Sequence, residues 1–308
     1  MSVTAAQGHP QLQTQGLIPE FFADEFNVAY RRELLMPRIC TGKFYEKALD
    51  SGDKVTIASE PTMTTRAYTK GQTLAVDTTN STPVEMTVNR ARYFNFLVDK
   101  VDMKQSHLMI SDKYVKVALK QMQQDIEDEF FTSIYTQAHA KNQGATAGVK
   151  SSAYDLGTAG SPLALSASNA TDFITRIRAV LGEQNCAEKG KMWVIVPEWA
   201  RYLLVNSDLK NASVMGDDSS VMRTGRLGEV DGLTIYVSNG LVTSTADKST
   251  GTYVLAGNMD AISHISQMTE TDKIKSETTF GTKFRALTVY DWAVRKPEGL
   301  VVPYIYKA

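Results

Sequence analysis

The stretch SDKYVKVALKQMQQDIEDEFFTSIYTQAH, residues 111–139, decides how this chain folds. It lies inside a longer run, 84–143, that contains no glycine or proline. Its apolar residues recur at steps of three and four, which places them on one face of an α-helix; they are Val115, Ala118, Leu119, Met122, Ile126, Phe130, Ile134 and Ala138. We predict a helix over 111–139, about 43 Å long, and call it the spine helix. A helix of this length with one apolar stripe needs an equally long partner.

The charges of the spine helix run against its macrodipole. Lysines lie in its first half (Lys113, Lys116 and Lys120) and acids in its second (Asp125, Glu127, Asp128 and Glu129), whereas helices favour the reverse order near their ends. One interpretation is a solvated face whose charges lie mid-helix, where the dipole has little effect. The other is that each charged half meets an opposite charge on another subunit, which makes the four acids candidate inter-subunit residues.

The residues before the spine helix predict β structure. Lys54–Ala58 reads as a short strand, and strict alternation from Val84 to Val98 predicts a second strand whose apolar face is interrupted by Arg90 and Arg92. Between them, Tyr68–Gln72 is typical of a turn, because Gly71 adopts positive φ without penalty. An isolated hairpin is at best marginally stable, so this two-stranded projection needs a partner surface on its own chain or on a neighbour. Its candidate inter-subunit residues are Arg66, Tyr68, Lys70, Gly71 and Gln72.

The remaining pattern mixes helices and strands, so the predicted class is α+β. Aromatic residues between Phe21 and Tyr30 mark a short amphipathic helix that ends near Pro37. Apolar spacing predicts a helix over 173–181, and the apolar run 192–196 predicts a buried strand that stops at Pro197. We further predict a short helix over 258–268 and a closing strand over 301–306.

Composition limits the function classes. The chain has 308 residues and a formal net charge of -1, from 33 basic and 34 acidic residues. That balance argues against a dedicated nucleic-acid binder, which concentrates positive charge against phosphates. Cys40 and Cys186 are too few for a disulfide framework. No apolar run approaches the length of a membrane span, and the first residues lack the pattern of a signal peptide, so the expected site of synthesis and use is the cytoplasm.

The known catalytic patterns are missing from the sequence. The four histidines are scattered, and no HExxH, GxSxG or phosphate-loop pattern occurs. Gly225, Gly228 and Gly232 precede a predicted strand rather than a helix, unlike the dinucleotide fingerprint. The adjacent acids Asp217 and Asp218 have no partnering histidine or calcium-loop spacing. We therefore predict no catalytic, cofactor-binding or metal-binding residue, and no enzyme.

Three segments together resemble the major capsid (coat) proteins of tailed bacteriophages, with the Hong Kong 97 type shell fold. The first, 86–99, runs through Asp102 and Gln105 into the long helix with Gln124 and Asp125. The second, GRLGEVDGLTIYVSN over 225–239, resembles the turn and strand of that family's axial domain. The third, LTVYDWAVRKPE over 287–298, resembles its closing strand. The match covers most of 20–308, and although each motif is loose, their order and spacing together are fairly specific.

The resemblance implies a domain division. Residues 1–42 would be an amino-terminal arm and 43–100 an extended β loop that lies over a neighbouring subunit. Residues 101–164 and 267–282 would form a peripheral domain built on the spine helix. Residues 165–266 and 283–308 would form the axial domain.

The resemblance also implies a function: pentamers and hexamers that self-assemble into an icosahedral shell around double-stranded DNA. The partners it implies are further copies of the chain, a separate scaffolding protein, a portal and in some members a decoration protein. The DNA would be contacted weakly and without sequence specificity. The location would be the virion, after assembly in the host cytoplasm, with no membrane and no cofactor. Two alternatives stay open, an encapsulin-type nanocompartment shell and a soluble α+β enzyme.

Overall fold

The computed structural model describes residues 31–41, 54–58, 61, 63–76, 83–101, 110–188, 190–207, 228–244 and 251–308. The α-helices within these ranges are α1 (Met36–Ile39), α2 (Ile110–Ile134), α3 (Ala170–Glu183) and α4 (Glu198–Val205). The first strands are β1 (Lys54–Ala58), β2 (Pro83–Thr87), β3 (Arg90–Asp99), β4 (Leu163–Leu165), β5 (Met192–Val196), β6 (Glu229–Val230) and β7 (Leu233–Val237). The later ones are β8 (Thr243–Ser244), β9 (Gly251–Tyr253), β10 (Leu255–Asn258), β11 (Ile262–Lys275), β12 (Gly281–Val294), β13 (Leu300–Val301) and β14 (Tyr304–Lys307).

The spine helix is α2, and its apolar face is buried as the spacing predicts. Met122, Ile126, Phe130 and Ile134 are buried, while the earlier apolar positions of the stripe are half-buried. The helix has 25 residues, about 37 Å, and ends at Ile134. The prediction that it continues to His139 is wrong: residues 135–138 form turns and bends, and a 3₁₀ turn follows at Ala140–Asn142.

A five-stranded sheet, in the order β13-β10-β5-β7-β6, separates two apolar cores. The predicted strand 192–196 is confirmed as β5, and all five of its side chains are buried. Met192, Val194 and Val196 pack with α3 and α4, whereas Trp193 and Ile195 pack with the second half of the spine helix. Burial on both faces explains why this strand is continuously apolar.

A long hairpin supplies the partner that the spine helix needs. Strands β11 and β12 pair antiparallel, and β12 also pairs with β3 from Gly281↔Asp99 to Tyr290↔Arg90. Alternate residues of β3 face the spine helix, where the ring of Phe96 lies 5.4 Å from that of Phe284 and 6.3 Å from that of Tyr114. The sheet thus lies along the helix, and aromatic rings fill the space between them.

Three further expectations need correction. The single strand predicted over 84–98 is two strands, β2 and β3, which join different sheets. The predicted helix over 258–268 is a 3₁₀ turn at Met259–Ala261 followed by β11, because this segment pairs along β12. Pro37 does not end a helix but lies in the first turn of α1, where its missing N–H costs nothing. The predicted helix near Phe21–Tyr30 lies outside the described residues.

The prediction for the first strand is confirmed, and the prediction for the closing strand is corrected. Strand β1 coincides with the prediction and pairs antiparallel with β2, from Lys54↔Thr87 to Ala58↔Pro83. The closing strand predicted over 301–306 is divided into β13 and β14, which belong to different sheets. Strand β14 pairs with β4 in parallel and with β9 antiparallel.

Candidate subunit-contact surfaces

The extended loop, residues 61–76 as far as they are described, lies between β1 and β2 in the chain. Every described side chain in it is exposed. One turn interrupts it: the N–H of Gln72 donates to the carbonyl of Thr69 at 3.0 Å, and Gly71 has φ +88°. The predicted turn is therefore confirmed. A Cβ on Gly71 would meet no atom within 4 Å, so glycine is required there by the backbone conformation and not by space.

The base of the loop is anchored to the long hairpin. Met86 of β2 is 2% exposed and packs with Ile265 of β11 and with the half-buried Val88 and Ala293. The predicted contact residues Arg66, Tyr68, Lys70, Gly71 and Gln72 all lie beyond this anchor, on the exposed part. Their role toward another subunit stays a prediction.

Glu129 of the spine helix joins the helix to the hairpin sheet. Its carboxylate accepts from Arg90 at 2.5 Å, from Arg92 at 3.1 Å and from the hydroxyl of Tyr290 at 2.8 Å. Burial alone would raise the pKa of Glu129, but these three donors outweigh it and lower that pKa. The carboxylate therefore stays ionised in a partly buried position within its own chain.

Arg90 extends this network to two further residues of β12. Its Nε lies 3.3 Å from Oδ1 of Asp291, and its guanidinium lies 4.1 Å from the centre of the Trp292 ring. Arginine suits both contacts because it is a planar, permanently charged group that stacks on aromatic rings. The two arginines that interrupt the apolar face of the strand thus face the acids of the spine helix.

Glu127 holds the segment before α1. Its Oε1 accepts from the N–H of Leu35 at 2.5 Å and from that of Met36 at 3.0 Å, and its Oε2 lies 3.4 Å from Nε of Arg32. The side chain is 1% exposed. Burial raises the pKa of Glu127, although the two N–H donors and Arg32 act against that rise. This acid is engaged inside its own chain.

Asp125 and Asp128 lie at the outer side of the same helix. Asp125 accepts from Nε2 of Gln121 at 3.0 Å and lies 3.7 Å from Arg92. Asp128 pairs with Arg32, and its side chain is 53% exposed. Of the four acids, these two have the most exposed side chains, 41% for Asp125 and 53% for Asp128, and their role toward another subunit stays a prediction.

The sequence pointed to the acids but missed their partners. Arg32, Arg90, Arg92 and Tyr290 were not predicted as site residues. Arg90 and Arg92, on the apolar face of the predicted strand, could have indicated these partners, because a charge on a buried face needs an opposite charge beside it.

Neither a metal cluster nor a membrane span is found in the part of the chain that the structure describes. There, no group of three or more His, Cys, Asp or Glu side chains is arranged to hold a metal ion. No helix in the described ranges is long and apolar enough to cross a bilayer.

A spine helix, a long hairpin lying along it, an exposed loop and a five-stranded sheet between two cores define the class of this fold. It is the Hong Kong 97 type fold of tailed-phage capsid proteins, as the sequence resemblance predicted, and similarity to solved structures confirms the fold. No family model and no curated protein matches the chain.

Three similar structures illustrate the match. One from Mycobacterium phage Che8 has a TM-score of 0.74 at 22% identity, over 94% of this chain and 97% of the other. The capsid structure of cyanophage P-SCSP1u gives 0.69 at 15% identity, over 96% and 94%. The capsid of Ralstonia phage GP4 gives 0.68 at 11% identity, over 100% and 99%.

Proposed function

We propose that this protein is the major capsid protein of a tailed bacteriophage, a structural protein without catalytic activity. The observation that carries the proposal is that the likeness to phage capsid structures extends over nearly the whole of both chains. In the proposed role, the chain forms pentamers and hexamers that close into an icosahedral shell around double-stranded DNA.

The extended loop is proposed to lie over a neighbouring subunit. It carries apolar side chains with high exposure in the single chain: Leu74 is 73% and Val76 is 94% exposed. Apolar side chains gathered on an extended loop gain free energy when a partner covers them. The charged and polar residues Arg66, Lys70 and Gln72 would then form the rim of that contact.

The proposed domain division follows the same role. The arm is 1–42, the extended β loop 43–100, the peripheral domain 101–164 with 267–282, and the axial domain 165–266 with 283–308. In support, the five-stranded sheet lies within the last of these ranges, and the spine helix lies within the peripheral one. Strands β11 and β12 cross the proposed boundaries, so they would connect the two domains rigidly.

The proposed partners are copies of the chain itself, a separate scaffolding protein, a portal and a decoration protein. A net charge of -1 suits a wall that contacts packaged DNA weakly and without sequence specificity. The proposed location is the virion, after assembly in the host cytoplasm.

Electron microscopy of the expressed protein tests the proposal, first alone and then with the products of neighbouring genes. We expect closed, uniform shells. A strictly monomeric protein under every assembly condition would overturn the proposal. Shells that enclose a protein cargo instead of DNA would favour the nanocompartment alternative, so the contents should be identified by nuclease digestion and mass spectrometry.

A further inference from the structure

The turn that joins β11 to β12 holds an aromatic side chain out in solvent. This turn, 276–280, reads SETTF, and we call it the hairpin tip. Its Phe280 side chain is 85% exposed. The backbone of the tip is tied on both sides: the N–H of Ser276 donates to the carbonyl of Gly281 at 2.9 Å, and that of Lys100 donates to the carbonyl of Phe280 at 3.0 Å. An exposed ring on a turn held in this way favours binding, because little conformational entropy is lost when a partner covers it.

The hairpin tip also carries an acid without a counter-ion among the described residues. Glu277 is exposed and forms no ion pair with any residue in the described ranges. The other tip residues, Ser276, Thr278 and Thr279, are uncharged. A surface that is apolar at its centre and positively charged at its border would complement the tip in both respects.

A groove between the first half of the spine helix and the hairpin sheet has an apolar lining. Its volume is about 400 Å³, and the apolar residues that line it are Phe94 of β3, Val115 of the spine helix and Phe284 of β12. Clefts that hold small ligands have about 300–1,000 Å³, so this groove, which we call the docking groove, has room for a phenyl ring. Its two aromatic residues suit such a ring, because aromatic pairs stabilise one another beyond the area that they bury.

Positive charge borders the docking groove. Lys116 of the spine helix and Lys273 of β11 line it; both are exposed, and neither forms an ion pair with a residue in the described part of the chain. Nζ of Lys273 lies 5.2 Å from the centre of the Phe284 ring. Arg285 and Asp272 also line the groove but pair with each other at 2.6 Å, so together they add no net charge. The docking groove is thus apolar and basic, whereas the tip is apolar and acidic.

The tip of the same chain cannot fill this groove. Tip and groove are parts of one antiparallel ladder, in which Lys273 pairs with Phe284 and the last pair, Lys275↔Thr282, stands directly before the turn. The tip therefore begins about 10 Å farther along the strand than Lys273, and Phe280 could enter the groove only if the ladder unpaired. A second copy of the chain offers the same groove without that obstacle.

We propose that the hairpin tip of one copy enters the docking groove of a second copy, where Phe280 meets the aromatic lining and Glu277 meets the two lysines. Because the two surfaces differ, the contact is heterologous, and each copy that offers a tip also has a groove for the next copy. The inference rests on the proposed function, since it names one of the contacts by which copies of the chain assemble.

Site-directed cross-linking tests the proposal in the full-length protein under assembly conditions. A tip partner carries Thr278→Cys, and a differently tagged groove partner carries Thr271→Cys, at an exposed position that lines the groove. The two are mixed before assembly and treated with a short bismaleimide. The matched control replaces the groove partner by Tyr202→Cys, on α4, where the side chain is 61% exposed. The wild type, which has Cys40 and Cys186, gives the background.

We expect the tip and groove partners to be cross-linked to each other roughly tenfold more than the control pair, with the joined peptides identified by mass spectrometry. Adding Glu277→Lys to the tip partner should lower the yield about tenfold, because it brings like charges together. Adding Lys116→Glu and Lys273→Glu to the groove partner should then restore it. Should that groove partner fail to fold by circular dichroism, Lys273→Glu alone should restore part of the yield.

Equal cross-linking of the groove and control positions would overturn the inference, and so would a charge exchange that restores nothing in folded variants. Closed shells without the tip–groove cross-link would overturn this inference and leave the proposed function standing. A protein that stays monomeric and gives no cross-link would overturn both.

Discussion

The hydroxyl of Tyr290 donates to Oε2 of Glu129 at 2.8 Å, and through this bond the long hairpin is joined to the spine helix. The same hydroxyl oxygen accepts from Nε of Arg92 at 3.2 Å. Burial and the carboxylate together raise the pKa of Tyr290. Three elements, β3, β12 and the spine helix, therefore meet at one phenol group, and removing that group should weaken all three contacts.

Tyr290→Phe should destabilise the subunit by about 1–2 kcal/mol, since it removes a hydrogen bond to a charged group without leaving a large cavity. The measurement is the free energy of unfolding from urea titration of the unassembled subunit. Tyr93→Phe is the matched control, because Tyr93 lies on the same hairpin sheet but is 77% exposed. If both variants lose the same stability, the hydroxyl of Tyr290 has no special role.

Glu127→Ala should cost more, about 2–4 kcal/mol, because it leaves the buried N–H groups of Leu35 and Met36 without an acceptor and Arg32 without a buried counter-ion. The same urea titration measures it. The neighbouring variant Asp128→Ala is the control, and we expect it to change stability by less than about 1 kcal/mol, as exposed ion pairs do. A loss at Asp128 equal to that at Glu127 would contradict this assignment.

Elements that depend on local sequence could be predicted, whereas those that depend on distant pairing could not. The apolar stripe of the spine helix, strand β5 and the Gly71 turn follow from spacing and local conformation, so they were predicted correctly. The division of 84–98 into two strands depends on which partner each half pairs with, β1 or β12, and no local pattern encodes that.

For the contact site, too, the sequence pattern did not identify which residues pair with one another. Four clustered carboxylates predicted a partner of opposite charge, and for Glu127 and Glu129 the structure shows such partners on the same chain, in Arg32, Arg90 and Arg92. These arginines lie between 37 and 95 residues away in sequence, too far for helix or strand periodicity to relate them. Spacing alone cannot distinguish a partner on the same chain from one on a neighbour.

Charge reversal should accordingly be confined to Asp125 and Asp128, the two acids of the cluster with the most exposed side chains. Asp125→Lys with Asp128→Lys should reduce shell yield in electron micrographs by more than it reduces subunit stability, if these acids meet a basic surface on another subunit. Asp272→Lys, on the hairpin, is a control for charge reversal at an ion-paired acid outside the spine helix. Normal shell yield from the double variant would rule out an inter-subunit role for both acids.

Deleting Thr65–Val76 should leave a folded subunit that does not assemble. The described side chains in this stretch are exposed, so the core loses nothing when they are removed. Thermal unfolding of the unassembled subunit should shift by only a few degrees, while closed shells should be absent. Loss of the folded state would instead mean that the loop packs on its own chain.

His264 should make the subunit less stable as the pH falls. Burial lowers the pKa of His264 to about 4, below the ordinary value of 6.5, and its Nε2 is buried without a hydrogen-bond partner in the described structure. The unfolded chain therefore takes up a proton between about pH 6.5 and pH 4 that the folded chain does not, so stability is fully present above this range and is lost on acidification through it. Unfolding free energies of wild type and His264→Gln should be measured at pH 7 and pH 4.5. The wild type should lose about 2–3 kcal/mol more than the variant between the two values, and an equal loss in both would show that His264 is not the responsible group.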